Sequence, residues 1–268
     1  MELSSNSLIQ AGFEWVFEKS DTIRASLENV SNNVSFVILP NVDIDLYLDK
    51  ISKENHLTFF VNENSNLKLH IVNNKEENSF DILGEVKENG SIRIYFADLS
   101  NVNCKLNSNV ILLGKNSTGK FRFSSVANAN VLKKYNVGFD QLGEGTNSLF
   151  EGYGVALKNG EIDAKGISHI EKDSIKSIAN QKVKVILFDK DSKAKASPTL
   201  RIDCDDIVAN HACAIGSLNE DHIFYLKSRG LNEQDARKLI TLGYLIPIEE
   251  YFDEKGKELI QSYIKENF

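Results

Sequence analysis

The sequence predicts a mainly β fold, most compatible with a solenoid, that is followed by α-helices near the C-terminus. Short runs of alternating apolar residues follow one another from about Val34 with almost no helical pattern between them, which is typical of all-β architectures. Few of the intervening spacings fit the tight two-residue turns that antiparallel hairpins favour. After Gly216 the apolar spacing becomes helical.

The strand pattern alone leaves a sandwich and a barrel open beside the solenoid. The β region is long for one sandwich, and its last part advances in small steps bounded by Gly154, Gly160 and Gly166. Stacked rungs that turn at glycine or asparagine would give this pattern, although no fixed repeat is visible. The residues therefore favour the solenoid without deciding it.

The chain is predicted to contain three parts. Residues 1–30 form a short N-terminal segment, in which a ragged apolar stripe that includes Trp15 predicts a helix over residues 7–29. Residues 31–216 form the β core, and residues 217–268 form a helical domain.

The predicted strands share apolar side chains at alternate positions, so that one face of each strand can be buried. They cover residues 34–39, 57–61, 67–72, 80–83, 91–96, 110–113, 120–124, 148–150, 154–157 and 183–188. The segments between them are rich in residues that tolerate left-handed backbone conformations or bond to their own backbone. Turns are therefore predicted at residues 62–65, 88–90, 107–109 and 158–160.

The C-terminal helices are predicted from their start and stop signals. Ser217 begins an S-x-x-E capping box, and Gly230 would end the first helix in a left-handed conformation. Asn232 can cap a second helix, which Pro247 should end or kink, and a last helix is predicted over residues 254–266. The apolar faces of these helices need to be buried on the β core or on a partner.

Composition argues against several classes of function. The formal net charge is −7, with 31 basic and 38 acidic residues and no basic stripe, so a nucleic-acid partner is not expected. No apolar run approaches the length of a membrane span, and the N-terminal residues lack the pattern of a signal peptide. The three cysteines, Cys104, Cys204 and Cys213, form no C-x-x-C pair, which favours a reducing, cytoplasmic compartment.

Two ligand-binding motifs are matched only in part. Gly114–Lys120 fits G-x-x-x-x-G-K, but Phe121 stands where a phosphate-binding loop needs Ser or Thr, and the following residues alternate as a strand. A turn between strands is the better interpretation. The segment from Asp189 lacks the glycine and the glutamate of a calcium loop, so a solvated turn is expected there.

His211 and Cys213 form the strongest candidate site that spacing provides. On a strand they would point to the same side, where they could share a metal ion, with Cys204 and Asp206 a short distance upstream. Zinc-type sites normally show a second close pair of ligands, so spacing alone favours a small buried cysteine and a histidine bonded to a carbonyl. No comparable neighbours accompany the other histidines, which are His56, His70, His169 and His222.

Several segments together resemble the C-terminal signature of the SufB/SufD family of iron–sulfur cluster assembly proteins, most closely that of its SufD members. The segments are residues 207–218 (IVANHACAIGSL), 224–231 (FYLKSRGL) and 236–240 (ARKLI). Shorter stretches between residues 160 and 202 are similar to the middle region of the family. The resemblance covers about residues 133–244.

The resemblance implies a right-handed parallel β-helix with a C-terminal α-helical domain. It also implies a non-catalytic scaffold subunit that pairs with a SufB-like paralogue near His211 and docks a SufC-like ATPase through residues 217–268. ATP hydrolysis would occur in the SufC-like partner. The residues expected to contact partners are Phe224, Tyr225, Leu226, Arg229, Gly230, Leu239 and Ile240.

In the family pattern His211 corresponds to a histidine at the SufB interface, where it would be a metal ligand shared with SufB, and Cys213 is a weaker metal candidate. SufB-type members carry an upstream cysteine, which is missing around Val183, and a Glu where this chain has Ala212; both differences favour the SufD type. No cofactor is expected to bind stably to the chain alone, and iron or an iron–sulfur cluster would be held transiently at the SufB interface. In isolation, a homodimer is the alternative assembly.

Two other functions stay open at the level of the residues. One is a stand-alone metal-dependent enzyme that uses His211, Cys213 and Cys204. The other is a β-solenoid that binds some other partner.

Overall fold

The fold is a parallel β-solenoid whose C-terminal helices lie along one of its two sheets. The computed structural model describes residues 8–11, 14–27, 33–73 and 76–267. Successive strands alternate between the two sheets, and neighbours within each sheet are parallel, apart from the antiparallel pair of β1 and β2. The predicted solenoid followed by helices is confirmed, and the sandwich and the barrel are excluded because both would require antiparallel neighbours throughout.

Sheet A contains β1 and the even-numbered strands. They are β1 (Leu8–Ala11), β2 (Glu14–Phe17), β4 (Asn33–Ile38), β6 (Glu54–Val61), β8 (Asn78–Val86), β10 (Cys104–Leu112), β12 (Leu132–Gln141), β14 (Glu161–Ile170) and β16 (Lys193–Ile202). Sheet B contains the remaining strands. They are β3 (Asp21–Ser26), β5 (Asp43–Lys50), β7 (Asn66–Val72), β9 (Ser91–Asp98), β11 (Thr118–Asn128), β13 (Asn147–Leu157), β15 (Ser177–Leu187) and β17 (Ile207–Ser217).

The core lies between the two sheets, where each inward side chain stacks on its equivalent in the previous rung. Phe36 of β4 packs edge-on against Trp15 at 5.2 Å and stacks on Phe59 of β6 at 4.9 Å between ring centroids. All three rings are buried. Burial of a large apolar side chain stabilises a fold by about 1.5–3 kcal/mol, so these ladders are a principal source of stability.

The helix predicted over residues 7–29 is wrong for the residues that the structure describes there, which form β1, β2 and β3. Trp15 and Phe17 are buried while Glu14 is exposed, which is the alternation of a strand. Four-residue strands are too short to reveal this period clearly. The β region therefore begins before residue 31, and Phe13 and residues 28–29 lie outside the described ranges.

The turns confirm most of the predictions made from asparagine and glycine. Asn64, Asn89 and Asn116 adopt positive φ angles of 57°, 54° and 59° at equivalent corners of successive rungs, and their side chains hydrogen-bond to one another. Gly114 likewise begins a turn, after which β11 starts at Thr118. The turn predicted at residues 107–109 is wrong, because these residues lie inside β10.

One group of charges is buried inside the solenoid. Lys133 and Asp98 are fully buried, and Lys133 Nζ lies 2.5 Å from Asp98 Oδ1. Tyr135 donates to the other carboxylate oxygen of Asp98, and Asn73 donates to the first. Removing one member of such a pair leaves an uncompensated buried charge and typically costs about 3–5 kcal/mol.

The C-terminal part contains α1 (Glu220–Ser228), α2 (Glu233–Leu245), a 3₁₀ helix (Ile246–Tyr251) and α3 (Glu254–Asn267). Asn219, and not the predicted Ser217, caps α1, because its side chain accepts hydrogen bonds from two backbone N–H groups of the first turn. Gly230 has a φ of 98° after α1, and Asn232 caps α2, both as predicted. Pro247 lies at the start of the 3₁₀ helix.

The helices cover the outer face of sheet B and run back toward the first rungs. Ile223, Leu245, Phe252 and other apolar residues of the helices form a second buried cluster with outward side chains of the sheet, such as Val126. At the far end, Arg24 of β3 forms ion pairs with Asp49 of β5 and with Asp253. The segment between the 3₁₀ helix and α3 is therefore bound to the first rungs, and Asn267 at the end of α3 is hydrogen-bonded to Asn128 and to Leu99 O.

His70 lies in an aromatic row beneath this helical layer. Its ring stacks between Tyr47 and Tyr95, with centroid distances of 4.2 Å and 5.2 Å, and Phe252 covers it edge-on at 5.8 Å. Burial lowers the pKa of His70 to about 4. The imidazole is therefore neutral in the folded chain at neutral pH.

Acidification is expected to destabilise the fold through His70. The unfolded chain takes up a proton on this histidine near its ordinary pKa of 6.5, whereas the folded chain does so only near pH 4. The free energy of unfolding should therefore fall as the pH drops between these two values, by on the order of 1–3 kcal/mol. Urea denaturation at neutral pH and just above pH 4 measures the loss.

The matched variants are His70→Phe, which should lose this pH-dependent component, and His222→Gln, which alters an exposed histidine of α1 and should keep it. An unchanged pH dependence in His70→Phe would contradict the assignment.

Candidate functional site

The last rung leaves the interior of the solenoid open. Strands β16 and β17 are the terminal strands of their sheets, and within the described residues no further strand pairs with them. Their side chains are mostly exposed or half-buried, whereas inward positions of the preceding β14 and β15 are buried. We call the inward side of β16 and β17 the open end. Pro198 in β16 fits a strand at a sheet edge, since it cannot donate to a further strand.

His211 and Cys213 both face the open end. They are the register partners of Gln181 and Val183 in β15, which point into the solenoid. Cys213 Sγ lies 3.9 Å from the carbonyl oxygen of Ala196 across the interior. The expectation that the two residues share one side of a strand is confirmed, and both are exposed because no rung covers them.

The surroundings of His211 and Cys213 are mainly apolar. Ile202 and Ile215 point inward at this rung and remain 39% and 40% exposed, and Ala194 and Ala196 pack partly against the core. Open strand edges and exposed apolar side chains are typical of surfaces that a further rung or a partner covers. The open end has both.

The open end supplies an incomplete set of metal ligands. Within the described residues, no third His, Cys, Asp or Glu joins His211 and Cys213, and Cys204 and Asp206 do not complete such a group. Partial burial raises the pKa of the Cys213 thiol above its ordinary value, which keeps it protonated at neutral pH. The stand-alone metal enzyme would need more ligands than the described chain brings together here.

The expected partner-binding residues divide into two groups. Phe224, Tyr225 and Leu239 are 74%, 56% and 51% exposed, and Ile246 adds a fourth apolar side chain at 43%. We call these four residues the helical patch. Arg229 is also exposed, and its guanidinium lies over the ring of Tyr225 at 5.4 Å.

The other expected contact residues serve the fold. Leu226 and Ile240 are half-buried and pack against the cluster beneath the helices. Gly230 provides the left-handed residue that ends α1. Leu226 and Ile240 therefore pack α1 and α2 against the cluster, and Gly230 allows the chain to turn after α1.

The other candidates from the sequence behave differently. Cys104 is buried beside Asp98, and burial raises the pKa of its thiol well above the ordinary value. His169 does have neighbouring ligands, contrary to the sequence-based expectation, because carboxylates of Asp140, Glu171 and Asp203 lie within 4 Å of its ring nitrogens. The spacing of two between His169 and Glu171 is a local sign of part of this group, whereas Asp203 is 34 residues away along the chain.

The helices of the described ranges are not suited to spanning a membrane by length and apolar character.

Comparison with known proteins gives a consistent family assignment. The family model described as "SUF system FeS cluster assembly, SufBD core domain" matches residues 37–244. The iron–sulfur cluster assembly protein SufD of Bacillus subtilis is 26% identical over 151 residues, which cover 56% of this chain and 35% of that protein. SufD of Escherichia coli is 26% identical over 156 residues, covering 56% and 36%.

A SufBD family protein of Staphylococcus epidermidis is 21% identical over 190 residues, which cover 70% of this chain and 41% of that protein. The matched region thus spans between about one third and two fifths of the length of these relatives. The family model includes the solenoid rungs from β5 onward, the open end and most of α2. The chain therefore belongs to the SufBD family of iron–sulfur cluster assembly proteins.

Proposed function

We propose that this chain is a SufD-like, non-catalytic scaffold subunit of an iron–sulfur cluster assembly complex. Its open end pairs with a SufB-like paralogue, and its helical patch docks a SufC-like ATPase, in which ATP hydrolysis takes place. The observation that carries the proposal is the open end itself, with unpaired strand edges, exposed inward apolar residues and an incomplete ligand set. The similarity to two SufD proteins supports the same role.

The open end favours a partner that brings strands of its own. A parallel solenoid buries inward side chains by stacking one rung on another, so Ile202 and Ile215 gain most from a partner that presents a matching rung. The same partner would place further ligands beside His211 and Cys213. Iron or an iron–sulfur cluster is then cargo that is held at the interface of the two subunits, with His211 as the principal ligand from this chain.

The helical patch favours a separate docking event. Aromatic and aliphatic side chains that protrude from a rigid helical layer are typical anchors of protein interfaces. Phe224 and Leu239 meet this description, because the layer beneath them is packed on sheet B. Two surfaces on one subunit allow the SufB-like and SufC-like partners to bind at the same time.

The two interfaces should be separable by point substitutions. Ile215→Lys places a charge in the open end and should abolish co-purification with a SufB-type partner, while a SufC-type ATPase still binds. Leu239→Asp should have the opposite effect. Leu83→Lys changes an apolar side chain that is 54% exposed on the outer face of sheet A, so it should affect neither partner. Co-expression of the three proteins followed by size-exclusion chromatography distinguishes these outcomes.

Failure of the unaltered chain to bind either partner would contradict the proposed function. Pairing with a second copy of the chain that persists in the presence of a SufB-type protein would contradict the assignment of the open end.

His211→Ala is expected to leave the assembly intact and to reduce the iron–sulfur cluster that it forms, because an exposed ligand contributes little to packing. Anaerobic reconstitution of the purified complex, followed by its visible absorption and its iron content, measures the loss. His56→Ala on the outer face of sheet A serves as the control and should form the normal amount. Equal cluster formation in both variants would rule out His211 as a cargo ligand.

A further inference from the structure

A histidine surrounded by carboxylates lies on the outer face of sheet A, on the opposite side of the sheet from the inward residues of the open end. Asp140 of β12 and His169 of β14 are register partners, so their side chains are adjacent on that face. Glu171 and Asp203 follow β14 and β16 one pleat further along. The ladder continues through them, because Glu171 N donates to Gln141 O at 3.0 Å and Asp203 N donates to Ile170 O at 2.9 Å. The backbone therefore fixes the relative positions of these residues.

The side chains converge on the imidazole from both of its nitrogens. His169 Nε2 lies 2.9 Å from Asp203 Oδ2, and Nδ1 lies 3.5 Å from Glu171 Oε1 and 3.7 Å from Asp140 Oδ1. One ligand atom from each of His169, Glu171 and Asp203 lies within 4.8 Å of the other two. The His169 side chain is only 13% exposed, whereas the carboxylates reach solvent.

Three carboxylates and one guanidinium group surround the imidazole of His169. A neutral imidazole has one N–H group and therefore turns a lone pair toward a carboxylate at its other nitrogen. Arg201 Nε lies 3.6 Å from Asp203 Oδ2, and its side chain is 68% exposed. Asn109 Nδ2 donates to Asp140 Oδ2 at 2.8 Å. A metal cation bound to that imidazole nitrogen and to the carboxylate would replace this contact between two acceptors.

We propose that His169, Glu171 and Asp203 bind a divalent first-row transition-metal ion. Two ligand atoms that are each about 2.1 Å from one ion and at right angles lie about 3 Å apart, which matches the separation of Nε2 and Asp203. Asp140 then stays at Nδ1 and orients the ring, as carboxylates behind metal-bound histidines commonly do. Glu171, which lies nearest Nδ1 in the unbound chain, turns its exposed side chain toward the ion. An imidazole nitrogen combined with carboxylate oxygens suits zinc, manganese or iron(II), whereas calcium and magnesium prefer oxygen ligands alone.

The proposed site is independent of the proposed role of the open end, because it shares no residue with His211 and Cys213. Among the described residues it is also the one place where three potential metal-ligating side chains of this kind converge. Water would complete the coordination, since Glu171 and Asp203 are 47% and 42% exposed.

Calorimetric titration of the untagged full chain with Zn²⁺ and with Mn²⁺, after removal of metal by a chelator, tests the site. One equivalent of each ion should bind. His169→Ala and Asp203→Asn should abolish binding or weaken it by far more than tenfold, and Asp140→Asn should weaken it by about tenfold as a positioning residue. The matched control is His56→Ala, whose imidazole also faces a carboxylate, with Nδ1 3.2 Å from Asp81 Oδ2, and it should bind normally.

A second control separates this site from the open end. The His211→Ala/Cys213→Ala double variant should retain the full equivalent, with Mn²⁺ giving the same electron paramagnetic resonance spectrum as in the unaltered chain. Binding that disappears in this double variant, or that persists unchanged in His169→Ala, overturns the proposal. Absence of binding in the unaltered chain also overturns the proposal.

Discussion

The stacking of equivalent side chains from rung to rung is the interaction on which this molecule depends. An inward residue is buried only if the next rung lies on it, as Phe59 lies on Phe36. The same register determines which outward residues become neighbours, so the row of Tyr47, His70 and Tyr95 and the pairing of Asp140 with His169 follow from it. Where the stacking stops, at β16 and β17, the interior of the solenoid is exposed.

The last rung is left uncovered by the other described residues, and this relates the fold to the proposed function. The helices pack their apolar residues against the outer face of sheet B, and Arg24 binds them to the first rungs. They therefore do not close the open end. His211 and Cys213 are consequently presented on a rigid frame but without a full set of ligands. Such a chain is suited to a site that a second subunit completes. The helical patch is a separate surface, to which another partner can bind.

The sequence predicts an element where alternation or capping is clear locally, but the predicted strands do not include β5, β12, β14 or β16. Gly230 and Asn232 mark the helix boundaries where expected. Prediction from the sequence fails where hydrogen bonding between strands overrides the local preference of a residue for a turn. Asn107 and Asn109 resemble a turn, yet both lie in β10, where Asn107 donates to Asp81 of the preceding rung at 2.7 Å and Asn109 donates to Asp140. Trp15 and Phe17 belong to a strand too short to show its period.

The candidate sites show the same division between local and long-range information. The shared orientation of His211 and Cys213 follows from a spacing of two on a strand, and the family resemblance singles out the stretch that contains them. That they lie at an uncovered end depends on the number of rungs, which the sequence does not show as a repeat. In the group around His169, the spacing of two from His169 to Glu171 is local, but the approach of Asp140 and Asp203 depends on a register between strands that are about 30 residues apart.

Hydrogen–deuterium exchange of the chain, alone and bound to a SufB-type partner, is the most direct test of whether the partner covers β16 and β17. Backbone amides of residues 193–202 and 207–217 that do not donate to β14 or β15 are expected to exchange rapidly in the free chain and to become protected in the complex, while those of the β10 region stay protected in both. A complex that forms without any added protection of β16 and β17 would contradict pairing at the open end, because the partner would then bind elsewhere and leave that end uncovered.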